Sequence, residues 1–156
     1  MADRHGFVAT VLAIGLIALG HAAITWPRLA TVAFFGGGAI VAFTAEAVAI
    51  NRGWLAHHIG PKLLGVPIYL LFGWTGTIYI AFRVALLVAD GWLAVLVAGV
   101  LATSYDVLID HRQVTNGYWS YGDGLGGPRF RGVPWWNFAA WLVISCLTAA
   151  LALPFL

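Results

Sequence analysis

Apolar runs long enough to cross a lipid bilayer constrain this chain before anything else does. They cover residues 7–26, 29–50, 63–88, 92–110 and 135–154. At about 1.5 Å of rise per residue, a helix needs about 20 apolar residues to span a hydrocarbon core of about 30 Å. Inside that core the backbone has no water to bond to, so each run must close its own hydrogen bonds as a helix. Composition agrees: 62% of the 156 residues are hydrophobic and 9% are charged, where a soluble domain carries about 25% charged residues. The expected fold is all-α, a single transmembrane domain over 1–156 built as a bundle of about five helices. The 19 glycines and 8 tryptophans suit it, because glycine lets helices approach closely and tryptophan favours the membrane interface. No internal repeat and no soluble domain is evident.

In chain order, residues 1–6 form a short polar start. The first run reads as a retained helix, not a cleaved leader, because its apolar stretch continues past Gly20-His21-Ala22 and Arg4 is offset by Asp3. His21 reads as an interfacial or packed histidine. Gly36-Gly37-Gly38, in the middle of the second run, marks a close approach by a neighbour more readily than a loosened helix. Pro67 falls near the start of the third run, where proline disrupts least. Arg83 snorkels outward or faces a partner. Cys146 reads as a small packed hydrophobe. The polar loops 51–62 and 111–134 remain. The second is long and rich in glycine, tyrosine and tryptophan, which favours function over disorder.

Lysine and arginine sort to one side. Arg4, Arg52, Lys62, Arg112, Arg129 and Arg131 share it, against Arg28 and the nearby Arg83 on the other. The positive-inside rule then places this multi-pass protein in the cell membrane with its N-terminus cytoplasmic and its C-terminus outside. The net charge of +2 carries no basic cluster, which argues against nucleic acid.

The orientation gathers chemistry. Asp106 and Asp110 lie one helical turn apart on one face, at the end of the fourth run. Glu46 lies one turn from the end of the second. A carboxylate in hydrocarbon costs about 2.5–3.5 kcal/mol on insertion scales, so each is a functional candidate. The plain alternative has Glu46 reaching Arg52 or Lys62, and the three acids locking the bundle through Arg52, Lys62 and Arg112. His57 and His58 are adjacent, not at the i, i+4 spacing of a helical metal site, so no metal is expected. Neither a serine elbow nor a phosphate-binding glycine loop occurs.

What remains is proton chemistry at a greasy site. A carboxyl group among apolar and aromatic residues tends to stay protonated, and a second one nearby strengthens that. Trp74, Tyr105, Tyr118, Trp119 and Tyr121 could offer π faces to a developing cation. The same kit would protonate an alkene or relay protons, and the residues alone do not choose.

Several blocks carry a resemblance. Gly60-Pro61-Lys62-Leu63-Leu64-Gly65-Val66-Pro67, followed by Leu71-Phe72-Gly73-Trp74, is similar to a signature of the carotenoid biosynthesis membrane proteins, which include the bisanhydrobacterioruberin hydratases. Ala102-Thr103-Ser104-Tyr105-Asp106-Val107-Leu108-Ile109-Asp110 resembles that family's two-aspartate block. Asn116-Gly117-Tyr118-Trp119 and Gly132-Val133-Pro134-Trp135-Trp136-Asn137-Phe138-Ala139-Ala140-Trp141 resemble two further blocks, in the same order. His111 replaces a family proline and Tyr105 a tryptophan. The resemblance implies a hydratase that adds water to a terminal C=C of an acyclic C40 or C50 carotenoid. It implies Asp106 as proton donor, Asp110 as the neighbour opposing its ionisation, and Glu46 positioning or deprotonating water. Lys62 and Asn137 would orient the carboxylates, and Trp74, Tyr105, Tyr118 and Trp119 would line the substrate. It implies no cofactor. The expected partners are a carotenoid or other polyisoprenoid, membrane lipid, and either a second copy or other carotenoid enzymes. The alternative is a carotenoid- or lipid-binding or membrane-complex assembly protein without catalysis.

Overall fold

The computed structural model describes residues 3–156, so Met1 and Ala2 of the expected polar start lie outside the described residues. The chain is an all-α multi-pass membrane bundle with five helical spans long and apolar enough to cross a bilayer. The first is α1 (Arg4–Thr25), whose N-terminus is capped by the Asp3 carboxylate accepting from Gly6 N at 2.9 Å. Such a cap satisfies an amide that has no partner within the helix. The second span joins α2 (Arg28–Val32), a π-helical turn (Ala33–Gly37) and α3 (Gly38–Asn51). The third is α4 (Ile68–Ala85), the fourth α5 (Gly91–Thr115) and the fifth α6 (Trp135–Ala152), closed by a 3-10 turn (Leu153–Phe155).

The triple glycine does both things weighed for it. Gly36 and Gly37 close the widened π turn and Gly38 opens α3, and a Cβ on Gly38 would meet Thr148 Cγ2 at 2.5 Å while one on Gly37 would meet Leu151 Cδ1 at 2.7 Å. α6 therefore packs directly on the glycine backbone. Gly76 of α4 likewise faces Gly15 of α1, where an added Cβ would lie 2.9 Å from the Gly15 Cα. α4 lies between α1 and α5, and α5 packs along α6. At the end of the bundle away from the loops, Trp26, Phe34, Tyr79 and Phe82 form a buried aromatic layer, with Phe34 and Phe82 stacked 6.1 Å apart.

The loops hold short strands: β1 (Leu55–His57), β2 (Lys62–Leu63), β3 (Val66–Pro67), β4 (Trp119–Tyr121), β5 (Arg129–Phe130) and β6 (Val133–Pro134). The third helix therefore begins at Ile68 rather than at 63, because residues 62–67 fold back as a β2–β3 hairpin. The fourth runs on to Thr115, so Asp106 and Asp110 lie within α5 instead of closing it.

The structure also corrects the expectation that the chain contains no repeat. The β2–β3 hairpin turns at Leu64 (φ +50°) and Gly65 (φ +85°); the β5–β6 hairpin turns at Arg131 (φ +52°) and Gly132 (φ +90°). Two successive positive φ values make the tight turn that matches strand twist. Gly60-Pro61, Gly65-Val66-Pro67 and Trp74 recur at one fixed interval as Gly127-Pro128, Gly132-Val133-Pro134 and Trp141. Backbone bonds recur too. Trp54 N donates to Ala49 O and Tyr118 N to Gln113 O; Ile68 N donates to Pro61 O and Trp135 N to Pro128 O. Between the halves the bonds are reciprocal, His58 N to Tyr118 O at 2.8 Å and Gly122 N to Trp54 O at 2.9 Å. β1 and β4 pair antiparallel with Leu55 opposite Tyr121, Ala56 opposite Ser120 and His57 opposite Trp119. A pseudo-two-fold axis thus passes between Ala56 and Ser120. It relates a unit of spans two and three to a unit of spans four and five, and α1 stands outside the pair. Both ribbons cap the same end of the bundle, so the axis runs along the membrane normal, as in parallel-repeat transporters.

Candidate functional site

The axis brings the acidic side chains together. In the first unit α3 presents Glu46, which accepts from His57 Nε2 at 2.7 Å and from Trp74 Nε1 at 3.2 Å. At the matching place in the second unit α5 presents Asp110, which accepts from the Tyr121 hydroxyl and from Trp119 Nε1, each at 2.8 Å. His57 and Tyr121 occupy corresponding strand positions, so each unit gives its carboxylate one donor from the same place, while the second donors, Trp74 and Trp119, are not equivalent. One turn earlier on α5, Asp106 accepts from Asn137 Nδ2 of α6 at 2.8 Å. That pair has no counterpart: the first unit has Ala42 and Leu70 there. All three carboxylates are almost fully buried, at 7% (Glu46), 3% (Asp106) and 2% (Asp110) exposure. Burial unpaired would be costly, and each has a hydrogen-bond donor.

These groups face one cavity of about 200 Å³. Its polar lining includes Glu46, His57, Asp106, Asp110, Gln113, Tyr121 and Asn137. Trp74 and Trp141, equivalent residues of the two units, stack across the axis with centroids 3.8 Å apart and form an aromatic wall. Thr10 of α1 and Tyr105 of α5, both exposed, form its lateral rim on the lipid-facing side. Burial, and then the charges of Asp110 and Asp106, push the Tyr121 hydroxyl well above its usual range, so it stays protonated and donates. His57 Nδ1 is buried with no hydrogen-bond partner among the described residues.

Of the residues singled out from sequence, Glu46, Asp106, Asp110, Trp74, Tyr105, Trp119 and Asn137 line this cavity. Lys62 and Tyr118 do not. The Lys62 ammonium bonds the His57 carbonyl oxygen instead of a carboxylate, and so braces the strand that aims His57. Tyr118 is buried behind the site, its ring 4.4 Å from Phe7 and its hydroxyl donating to Asp3 O at 3.2 Å. Glu46 does not reach Arg52 or Lys62, because His57 and Trp74 occupy it.

Sequence reasoning missed His57 as a carboxylate partner, Tyr121 as a hydrogen-bond donor, and the wall supplied by Phe7, Thr10, Val11 and Ile14 of α1. Strand alternation would have separated the two histidines: His57 is buried, whereas His58 is exposed and pairs with Ser120 Oγ at 2.9 Å.

The family model described as "Carotenoid biosynthesis protein" matches residues 6–155. A curated relative, the bisanhydrobacterioruberin hydratase of Haloarcula japonica, is 30% identical over 132 residues, covering 74% of this chain and 44% of the relative. The chain thus spans less than half the length of that relative. No solved structure matches it.

Proposed function

The chain belongs to the carotenoid biosynthesis protein family, and we propose that it is a carotenoid-modifying enzyme that adds water to a terminal C=C of an acyclic C40 or C50 carotenoid. The observation that carries this reading is the convergence of Glu46, Asp106 and Asp110 from both units in one aromatic-walled cavity with a lipid-facing rim. The relative's printed name supplies the reaction class.

In the reaction, the substrate's terminal alkene enters between Thr10 and Tyr105. Asp106 gives its proton to the less substituted alkene carbon, and the π electrons form the new C–H bond. The tertiary cation left behind is stabilised by the faces of Trp74, Tyr105 and Trp119. Asn137, bonded to Asp106, fixes the acid's direction. Water held by Glu46 and His57 attacks the cation, and its released proton passes to that pair. The sum is alkene plus water to tertiary alcohol, with a proton returned to Asp106 before the next turnover. Tyr121 and Trp119 keep Asp110 in place beside Asp106. Positioned acid–base groups contribute about 10²–10⁴-fold each.

The side bearing Arg52, Lys62, Arg112, Arg129 and Arg131 faces the cytoplasm in this account, which puts the cavity near the inner leaflet. The test is expression of wild type and Asp106→Asn in a host making the acyclic precursor, with mass analysis of extracted pigments. Wild type yields a product heavier by one water, and the variant lowers it by about 10²-fold or more. Full hydration by the variant removes Asp106 from the acid's role.

A further inference from the structure

The carboxylate cavity does not end at the carboxylates. Gly73, Thr77, Ile80 and Val84 lie on one face of α4 at alternating spacings of three and four, and Leu87 continues the line in the turn beyond. A cavity of about 260 Å³ follows this face and shares Thr77 and Tyr105 with the carboxylate cavity. A third, of about 470 Å³, shares Ile80 and Val84 with the second. Ile14 of α1 borders all three. The result is a straight track with α4 as its floor, α1 on one wall and α5 on the other over its first part. From Gly73 to Leu87 it is roughly 20 Å long at helical rise. It ends at the opposite polar face, where His21 Nδ1 and the Tyr79 hydroxyl pair at 2.7 Å and the Arg83 guanidinium donates to Thr25 Oγ1 at 3.3 Å.

We infer that this track holds the body of the substrate: a rigid, conjugated polyene lying along α4 across the membrane, with one end among the carboxylates and the other directed toward His21, Tyr79 and Arg83. The inference rests on the function proposed above and names what that site selects. A conjugated chain is straight and stiff, so a linear track loses little entropy in binding it. A flexible acyl chain of equal length would have to be ordered at greater cost. Apart from its far end, the groove's floor offers little but methyl groups, methylenes and the Thr77 side chain. Selection is therefore by length and straightness, and the reacting alkene is delivered to Asp106 by the fit of the remaining chain.

The test uses pigment retained by the purified chain, so that binding is read apart from chemistry. Wild type, Ile80→Trp, Val84→Trp and Leu96→Trp are purified in mild detergent from a host making an acyclic C40 polyene. Ile80 and Val84 are half exposed in the track, and Leu96 is exposed on α5 away from it. Wild type and Leu96→Trp retain polyene, whereas either tryptophan in the track lowers the pigment-to-protein ratio by about tenfold. Thermal unfolding confirms that these variants fold. Wild type that carries no polyene, or track variants that carry as much as wild type, overturns the inference. Polyene retained in the track but never hydrated supports it while removing the proposed hydration.

Discussion

His57 and His58 are neighbours in sequence and face opposite ways. The strand turns His57 inward onto Glu46 and His58 outward onto Ser120. If Glu46 and His57 together take the proton from attacking water, then His57→Phe lowers hydration by about 10²-fold while the protein still folds and still retains polyene. His58→Ala, which removes only an exposed bond, changes the rate less than twofold; in vitro product formation per mole of folded protein reads both. The acids themselves were legible because ionisable residues inside apolar runs are costly and rare. Their partners were not. A histidine in a three-residue strand and a tyrosine in a glycine-rich loop give no periodic signal, and only the β1–β4 register aims them at the carboxylates.

At the level of elements, the helices were plain because hydrocarbon leaves the backbone one solution. Their ends were less so. Leu63 to Pro67 is apolar enough to read as helix, yet two positive φ angles and the pairing of Lys62 and Leu63 with Pro67 and Val66 make a hairpin. These hairpins set where α4 and α6 start, and so where Trp74 and Asn137 point. Gly132→Ala places a Cβ at φ +90° in open surroundings, and costs about 1–2 kcal/mol. Gly65→Ala adds to the same strain a contact with Ile50 Cγ2 at 2.8 Å. It is therefore the more destabilising of the two, in midpoint of thermal unfolding in detergent. Equal midpoints would mean that the hairpin does not press on α3.

For the whole molecule, the organising fact is that two helical pairs meet about an axis through the Ala56–Ser120 pairing and the Trp74–Trp141 stack. Gly-Pro followed by Gly-Val-Pro occurs twice in the sequence, so half of this symmetry was on view. The intervening spans share almost no other identity, because any apolar side chain serves against lipid. The symmetry breaks in two places: Asp106 and Asn137 stand where the first unit has Ala42 and Leu70, and α1, packed along α4, has no counterpart along α6. In the proposed reaction Asp106 is the proton donor, and one unmatched acid beside an otherwise duplicated pair of carboxylates suits a site that acts on one end of a long molecule at a time. The most direct measurement is hydration of an acyclic carotenoid by the purified protein in heavy water. The account predicts a tertiary alcohol with one deuterium bound to the carbon next to the alcohol-bearing carbon, retained after exchange into ordinary water. An alcohol with no carbon-bound deuterium, or no alcohol from folded protein that carries the polyene, contradicts it.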